Sequence, residues 1–242
     1  NQKDSTGFPY KLGSLIKGST SNKAVIEKVV LGALPTNCHF YYQGAQANST
    51  ATYRHIRHVY FDADYKTSPE RLFDATTLDD LEFSDQITNI EVQQYGFEYA
   101  NLACDAQDVT NLLNLIFQPD KTSGYIPGRM AFFYTLFPDD FTELRLPADN
   151  RLSNTIFDYV TMRGVTKVTF TGGNGLCQSY PFYNTSFPSL KTIVMESGTL
   201  AFSTSYGLPP LSAVEELIIQ DDCTINSMNF TGTLSKLKSI QI

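Results

Sequence analysis

The chain has no tryptophan, and its 242 residues include only four cysteines, three histidines and four methionines. Cys38, Cys104, Cys177 and Cys223 lie far apart with no C-x-x-C pair, so the usual ligand spacing of a zinc site is missing. Two disulfides and four thiols both fit such a set, of which buried free thiols are the commoner state. Charge is scarce too: 18% of residues are charged, 18 of them basic and 25 acidic. A net charge of -7 without a basic run excludes a surface that neutralises nucleic-acid phosphates, and disfavours an anionic membrane. No apolar run approaches the ~18 residues of a membrane-spanning helix. Phosphate-cradling and nucleophile-elbow motifs are absent, and Gly172-Gly173-Asn174-Gly175 reads as a turn. His55 and His58 stand three apart on a strand, where they point to opposite faces and cannot clamp one metal. Asp139 and Asp140 are adjacent, a poor arrangement for the opposed carboxylates of a glycosidase. The expectation is a protein without enzymatic activity, catalytic residues, metal or cofactor.

What the chain does have is apolar and aromatic material, with 42% hydrophobic residues, 17 Phe and 14 Tyr. Its distribution is periodic. Five blocks of the form apolar-x-x-apolar-x-apolar occupy the C-terminal hundred residues: Phe141-Leu144-Leu146, Val165-Val168-Phe170, Leu190-Ile193-Met195, Val214-Leu217-Ile219 and Leu237-Ile240-Ile242. Their starts are separated by 24, 25, 24 and 23 residues. A β-sandwich also alternates apolar and polar residues, but it would not hold that spacing over four intervals. Less regular copies stand upstream at Ile26-Val29-Leu31, Ile56-Val59-Phe61, Leu78-Leu81-Phe83 and Leu112-Leu115-Phe117. Insertions explain the wider intervals, because a solenoid coil touches only its neighbours. One insertion, from Asp105 to Leu115, offers an Asp N-cap and then Val109, Leu112 and Leu113, predicting a short helix ahead of a strand.

A second element recurs between blocks. Phe132, Phe157, Phe182 and Phe230 each precede the next block by seven to nine residues. With Met130-Ala131-Phe132, Pro181-Phe182-Tyr183 running to Leu190-Lys191-Thr192-Ile193, and Ile87 to Gly96-Phe97, the pattern over residues 54–242 resembles the BspA-type leucine-rich repeat of bacterial surface proteins. The Gly-x-x-Ala-Phe of that family is rarely intact here, and Phe202 and Tyr206 compete for one aromatic position. The buried asparagine of the commonest leucine-rich repeats is replaced by Asp64, Gln86, Asp120, Asp149, Gly173, Gly198 and Asp222. These residues suit tight turns. The acidic corners, with Asp62, Asp85 and Asp221 added, also fit calcium, but repeated turn chemistry explains them more simply.

The resemblance implies a leucine-rich-repeat solenoid, mostly β with a short helical or irregular convex side, coiled right-handedly into a horseshoe-like α/β form. Residues 1–53 are expected to form an N-terminal cap and a first irregular coil, with Leu12, Leu15 and Ile16 on one helix face. Residues 54–242 form the array, expected to belong to a longer protein. Strand geometry turns the residues between apolar positions outward into columns. Those columns carry the candidate ligand residues His58, Tyr60, Asp80, Glu82, Glu143, Arg145, Lys167 and Glu216, with Asn114 and Ile116 at the intervening level. By resemblance the chain is a secreted or surface-displayed bacterial adhesion module. It binds a host or cell-surface protein or glycan, after loss of a signal peptide or lipid anchor. A structural spacer or self-associating array is the alternative. Cys177 and Cys223, two coils apart at roughly 10 Å, are expected not to bridge.

Overall fold

The computed structural model describes residues 24–32, 54–64, 71–117, 127–149, 151–152, 155–172, 176–177, 180–202, 208–220, 223–228 and 234–242. A first set of strands precedes the helix: β1 (Ala24–Ile26), β2 (Val29–Leu31), β3 (Arg54–Ile56), β4 (Val59–Phe61), β5 (Thr76–Leu78), β6 (Leu81–Phe83) and β7 (Asn101–Leu102). The helix α1 (Ala106–Ile116) follows, then β8 (Glu143–Pro147), β9 (Lys167–Thr171), β10 (Leu176–Cys177) and β11 (Thr192–Met195). The chain closes with β12 (Gly198–Phe202), β13 (Glu216–Ile219), β14 (Cys223–Met228) and β15 (Ser239–Gln241).

Paired strands run parallel, and each pairs with the strand one coil away, which makes the molecule a β-solenoid. One face is the sheet β1-β3-β5-β7, prolonged by single bridges from Asn101 to Leu136, Thr161 and Ser186. A second face holds β2-β4-β6 and β8-β9-β11-β13-β15, and a third holds β10-β12-β14. In the upstream coils the first two faces are joined by two residues, Arg57-His58 or Asp79-Asp80. Each upstream apolar block therefore straddles two strands. The downstream blocks bury their side chains as expected: Phe141, Leu144, Leu146, Val165, Val168, Phe170, Leu190, Ile193 and Met195 all lie in the core. The last block is more open, with Leu237 half-buried and Ile240 exposed.

The block Leu112-Leu115-Phe117 is not a strand. Asp105 caps a helix through its side chain, which accepts from Asp108 N at 2.9 Å, and Val109, Leu112, Leu113 and Ile116 are buried at helical spacing. The same apolar residues fit both periods, and the cap decides for the helix. α1 lies against β6 and β8 and splits the second face into two sheets. The interruption leaves β6 without a strand partner on that side. Val29 N donates to His58 O at 2.9 Å and Val59 N to Asp80 O at 3.0 Å, each reaching the following coil. At the next level Leu81 N donates instead to Asp108 Oδ2 at 3.3 Å, so a helix carboxylate takes the place of a strand carbonyl.

The aromatic element of the repeat forms a column through the core. Phe73, Phe97, Phe132, Phe157 and Phe182 succeed one another at ring-centroid separations of 5.5, 5.1, 5.4 and 6.0 Å. Sequence spacing located Phe132, Phe157 and Phe182, while Phe230 lies outside the described residues. Phe73 was not anticipated. Left-handed residues four apart bracket these rings: Arg71 and Ala75, Tyr95 and Tyr99, Met130 and Tyr134, Thr155 and Tyr159. Bulky residues adopt this conformation only when neighbours fix it. Here coil-to-coil bonds do so, with Tyr99 N on Phe133 O at 2.9 Å and Tyr134 N on Asp158 O at 3.2 Å.

The expected cap residues Leu12, Leu15 and Ile16 lie outside the described residues, as do Cys38, Asp120, Gly173, Tyr206, Asp221 and Asp222. Neither Cys104 nor Cys223 is part of a disulfide.

Candidate functional site

The outward columns exist where strands continue them. Tyr60 pairs with Glu82, Glu143 with Lys167, Lys167 with Thr192, Thr192 with Glu216 and Glu216 with Ser239. The helix corrects the middle of the expected surface: Ile116 is 1% exposed because it faces the core, and Asn114 sits on the helix rather than in a strand column. Two groups result. Upstream, His58 pairs with Asp80 and, through Nε2 at 3.0 Å, with Glu82, while Lys28 lies over the Tyr60 ring at 5.5 Å. Downstream, Glu143 accepts from Lys167 Nζ at 2.8 Å, Arg145 at 3.2 Å and Thr169 Oγ1 at 2.8 Å, and Arg145 also reaches Glu196 at 2.5 Å. These donors hold the Glu143 carboxyl below the usual range despite the cost of its partial burial. Glu216 accepts from Gln241 at 2.9 Å. Thr169, expected to face outward, is 1% exposed because its neighbours close over it. Six of the eight candidate side chains therefore pair with one another, while Tyr60 and Glu216 engage residues outside the set.

Of the acidic corner residues, Asp149 closes its own turn, while Asp64 reaches across to the corner of the next coil. Asp64 accepts from Thr88 N at 2.6 Å and Asn89 N at 3.0 Å, and Asp149 accepts from Arg151 N at 2.9 Å and Nε at 2.8 Å. Among the described residues no group of three or more His, Cys, Asp or Glu side chains is arranged to hold a metal ion. His55 pairs with Asp79 at 2.5 Å, a different partner from that of His58.

A buried polar cluster occupies the turn side of the upstream coils. Arg54 Nη1 donates to Asp74 O at 3.1 Å, Arg71 bonds Glu98, and Arg71 stands 3.9 Å from Asp74. Neither carboxylate oxygen of Asp74 accepts a hydrogen bond. Burial pushes the Asp74 carboxyl up to about 6, partly offset by Arg71 and Arg54. Burial likewise lifts Glu98 to about 7, with Arg71 opposing the rise and Asp74 adding to it. The Cys104 thiol is raised to about 12, chiefly by burial, which removes its nucleophilic form.

None of these groups opens onto a groove of about 480 Å³ on the first face. Its floor is the bridge ladder Asn101, Leu136 and Thr161. Tyr134 and Tyr159, two residues before each bridge, form one wall; Pro138, Asp139 and Arg163 form the other. The tyrosines stack at 4.9 Å, continuing a column from Tyr99 at 5.2 Å, and Phe133 meets Tyr159 edge-on at 5.7 Å. Leu136 and Tyr159 are 40% and 47% exposed. Among the described residues the side chains of Asn101, Asp139, Thr161 and Arg163 make no hydrogen bond or ion pair. Sequence reasoning missed this site, although one signal was present: Tyr99, Tyr134 and Tyr159 each stand two residues after a column phenylalanine. Comparison with protein-family models, curated proteins and solved structures finds no match to this chain.

Proposed function

We propose that this chain is a non-enzymatic recognition module that holds a protein or glycan on its solenoid surface. In this reading the coils are leucine-rich repeats of the BspA type, curved into a horseshoe, and the module is secreted or displayed at a bacterial cell surface. The buried Ala131-Phe132 turn and the phenylalanine column are in keeping with that repeat class. The observation that carries the reading is the groove: exposed aromatic edges beside polar side chains not engaged by the protein itself. Such a surface suits binding through a few anchors. The carboxylates raised furthest, Asp74 and Glu98, line no part of it, which favours binding over catalysis. No helix among the described residues is long and apolar enough to cross a membrane.

The test is a screen of the purified chain against arrayed extracellular-matrix proteins and glycans, repeated with Tyr60→Ala, Arg145→Ala and Tyr159→Asn. Saturable binding weakened by at least one substitution is the expected result. No saturable binding to any probe would overturn the reading. One observation favours the spacer alternative: the strand-face charges are largely paired among themselves. That alternative predicts concentration-dependent self-association in sedimentation and no ligand.

A further inference from the structure

We infer that the groove between the Tyr134–Tyr159 stack and the Asp139–Arg163 wall is a binding site for a short neutral oligosaccharide. The inference rests on the recognition reading and specifies its ligand class and location. Three features of the groove select the class.

The first is the state of the main chain in the floor. Leu136 N donates to Ala100 O at 2.9 Å and Leu102 N to Leu136 O at 2.9 Å. Ser186 N donates to Val160 O at 2.8 Å and Met162 N to Ser186 O at 2.9 Å. The coils thus use these main-chain groups on each other. An extended peptide laid in the groove would bring its own N–H and C=O groups to a surface that offers no strand edge to pair with them. Recognition must run through side chains.

The second feature is the side-chain set. Asn101 presents an amide, Thr161 a hydroxyl, Asp139 a carboxylate and Arg163 a guanidinium, all without partners among the described residues. Amide, carboxylate and guanidinium are planar groups able to take two bonds at once, which matches adjacent hydroxyls that each donate and accept. One acid and one base on the same wall cancel, so the site carries no preference for a charged ligand.

The third is the exposed tyrosine at the end of the stack. Tyr99, Tyr134 and Tyr159 cover one another, but the next residue in the column is Asn184, whose Nδ2 turns aside to Asp158 Oδ1 at 3.2 Å. Tyr159 therefore ends the stack of rings beside Thr161 and Arg163 at one end of the groove, and it is 47% exposed. The apolar C–H face of a pyranose packs on such a ring while its hydroxyls reach the polar groups. From the Asn101 level to the Thr161 level the floor crosses two coil spacings, about 10 Å.

The full chain is tested on an array of short neutral oligosaccharides beside the same extracellular-matrix proteins, with hits titrated calorimetrically. Tyr159→Asn removes the ring and keeps a residue that adopts the left-handed conformation, as Asn184 does in the same column. Arg163→Ala and Thr161→Val alter exposed side chains and serve if Tyr159→Asn fails to fold by circular dichroism. The expected outcome is oligosaccharide binding that each groove variant weakens at least about tenfold, while Lys238→Ala, at an exposed ion pair outside the groove, leaves it unchanged; Arg145→Ala is run beside them. Oligosaccharide binding lost on Arg145→Ala but retained by the groove variants would overturn the location. Binding of a matrix protein alone, weakened by the groove variants, would overturn the ligand class and leave the recognition reading standing. Binding of nothing on either array overturns both.

Discussion

Replacing Phe157 by alanine removes the ring that joins the two halves of the aromatic column. Phe157 is fully buried and stands 5.4 Å from Phe132 and 6.0 Å from Phe182, with Phe117 and Phe137 each at 6.3 Å. The first two neighbours belong to the coils below and above, and Phe117 follows α1. Truncating a buried phenylalanine costs about 3–5 kcal/mol, the transfer term plus the cavity term. The upper half of that range applies here, because the rigid coil-to-coil hydrogen bonds at Phe132 N and Phe157 N oppose collapse of the cavity. For a chain of this size each kcal/mol lowers the melting temperature by roughly 2–4 °C. Urea denaturation followed by far-ultraviolet circular dichroism measures the loss. A cycle with Phe132→Leu isolates ring-ring coupling, expected at about 0.5–1.5 kcal/mol. A loss below about 1 kcal/mol for Phe157→Ala would refute the argument that the column is a packed, non-collapsible core.

Two further predictions concern other parts of the stack. Asp74 and Glu98 have folded acidities near 6 and 7 against ordinary values of 3.8 and 4.5. The fold therefore binds these protons more tightly than the unfolded chain, and their contribution is complete below the ordinary values and lost as pH rises through 6 to 7. Thermal denaturation should show stability falling between about pH 4 and pH 7, and Asp74→Asn should recover up to about 3 kcal/mol at the alkaline end; a wild-type profile that rises across this window would contradict the assignment. Gly164→Ala should destabilise the chain by about 1–3 kcal/mol or more, because the new Cβ would lie 2.1 Å from Asp139 O and 2.9 Å from Phe141 O, backbone atoms that cannot step aside. Unchanged melting of that variant would mean the two coils are less closely apposed than the geometry requires.

How far the fold was legible can be judged at particular residues. The spacing of Phe141, Val165, Leu190 and Val214 predicted strands one coil apart, and the parallel register of Glu143, Lys167, Thr192 and Glu216 is what that spacing requires. The recurring Phe132, Phe157 and Phe182 were readable for the same reason. Leu112, Leu115 and Phe117 were misread because a short apolar pattern fits helical and extended periods alike, and only the Asp105 cap separates them. The groove was not read. Its floor and walls come from residues spaced by whole coils, and no local motif marks Asn101, Asp139, Thr161 and Arg163 as neighbours.

The sequence alone determined the repeat, the parallel stacking and the inward apolar set, because burial periodicity is a local property that each coil states for itself. The tertiary structure decided three other matters: that α1 breaks the strand face, that charges such as Glu143, Arg145 and Lys167 satisfy one another, and that the tyrosine column borders a groove with unengaged polar side chains. Each depends on which side chains meet across coils. That is fixed by the length of every insertion and the direction of every turn, and a linear pattern does not carry those distances.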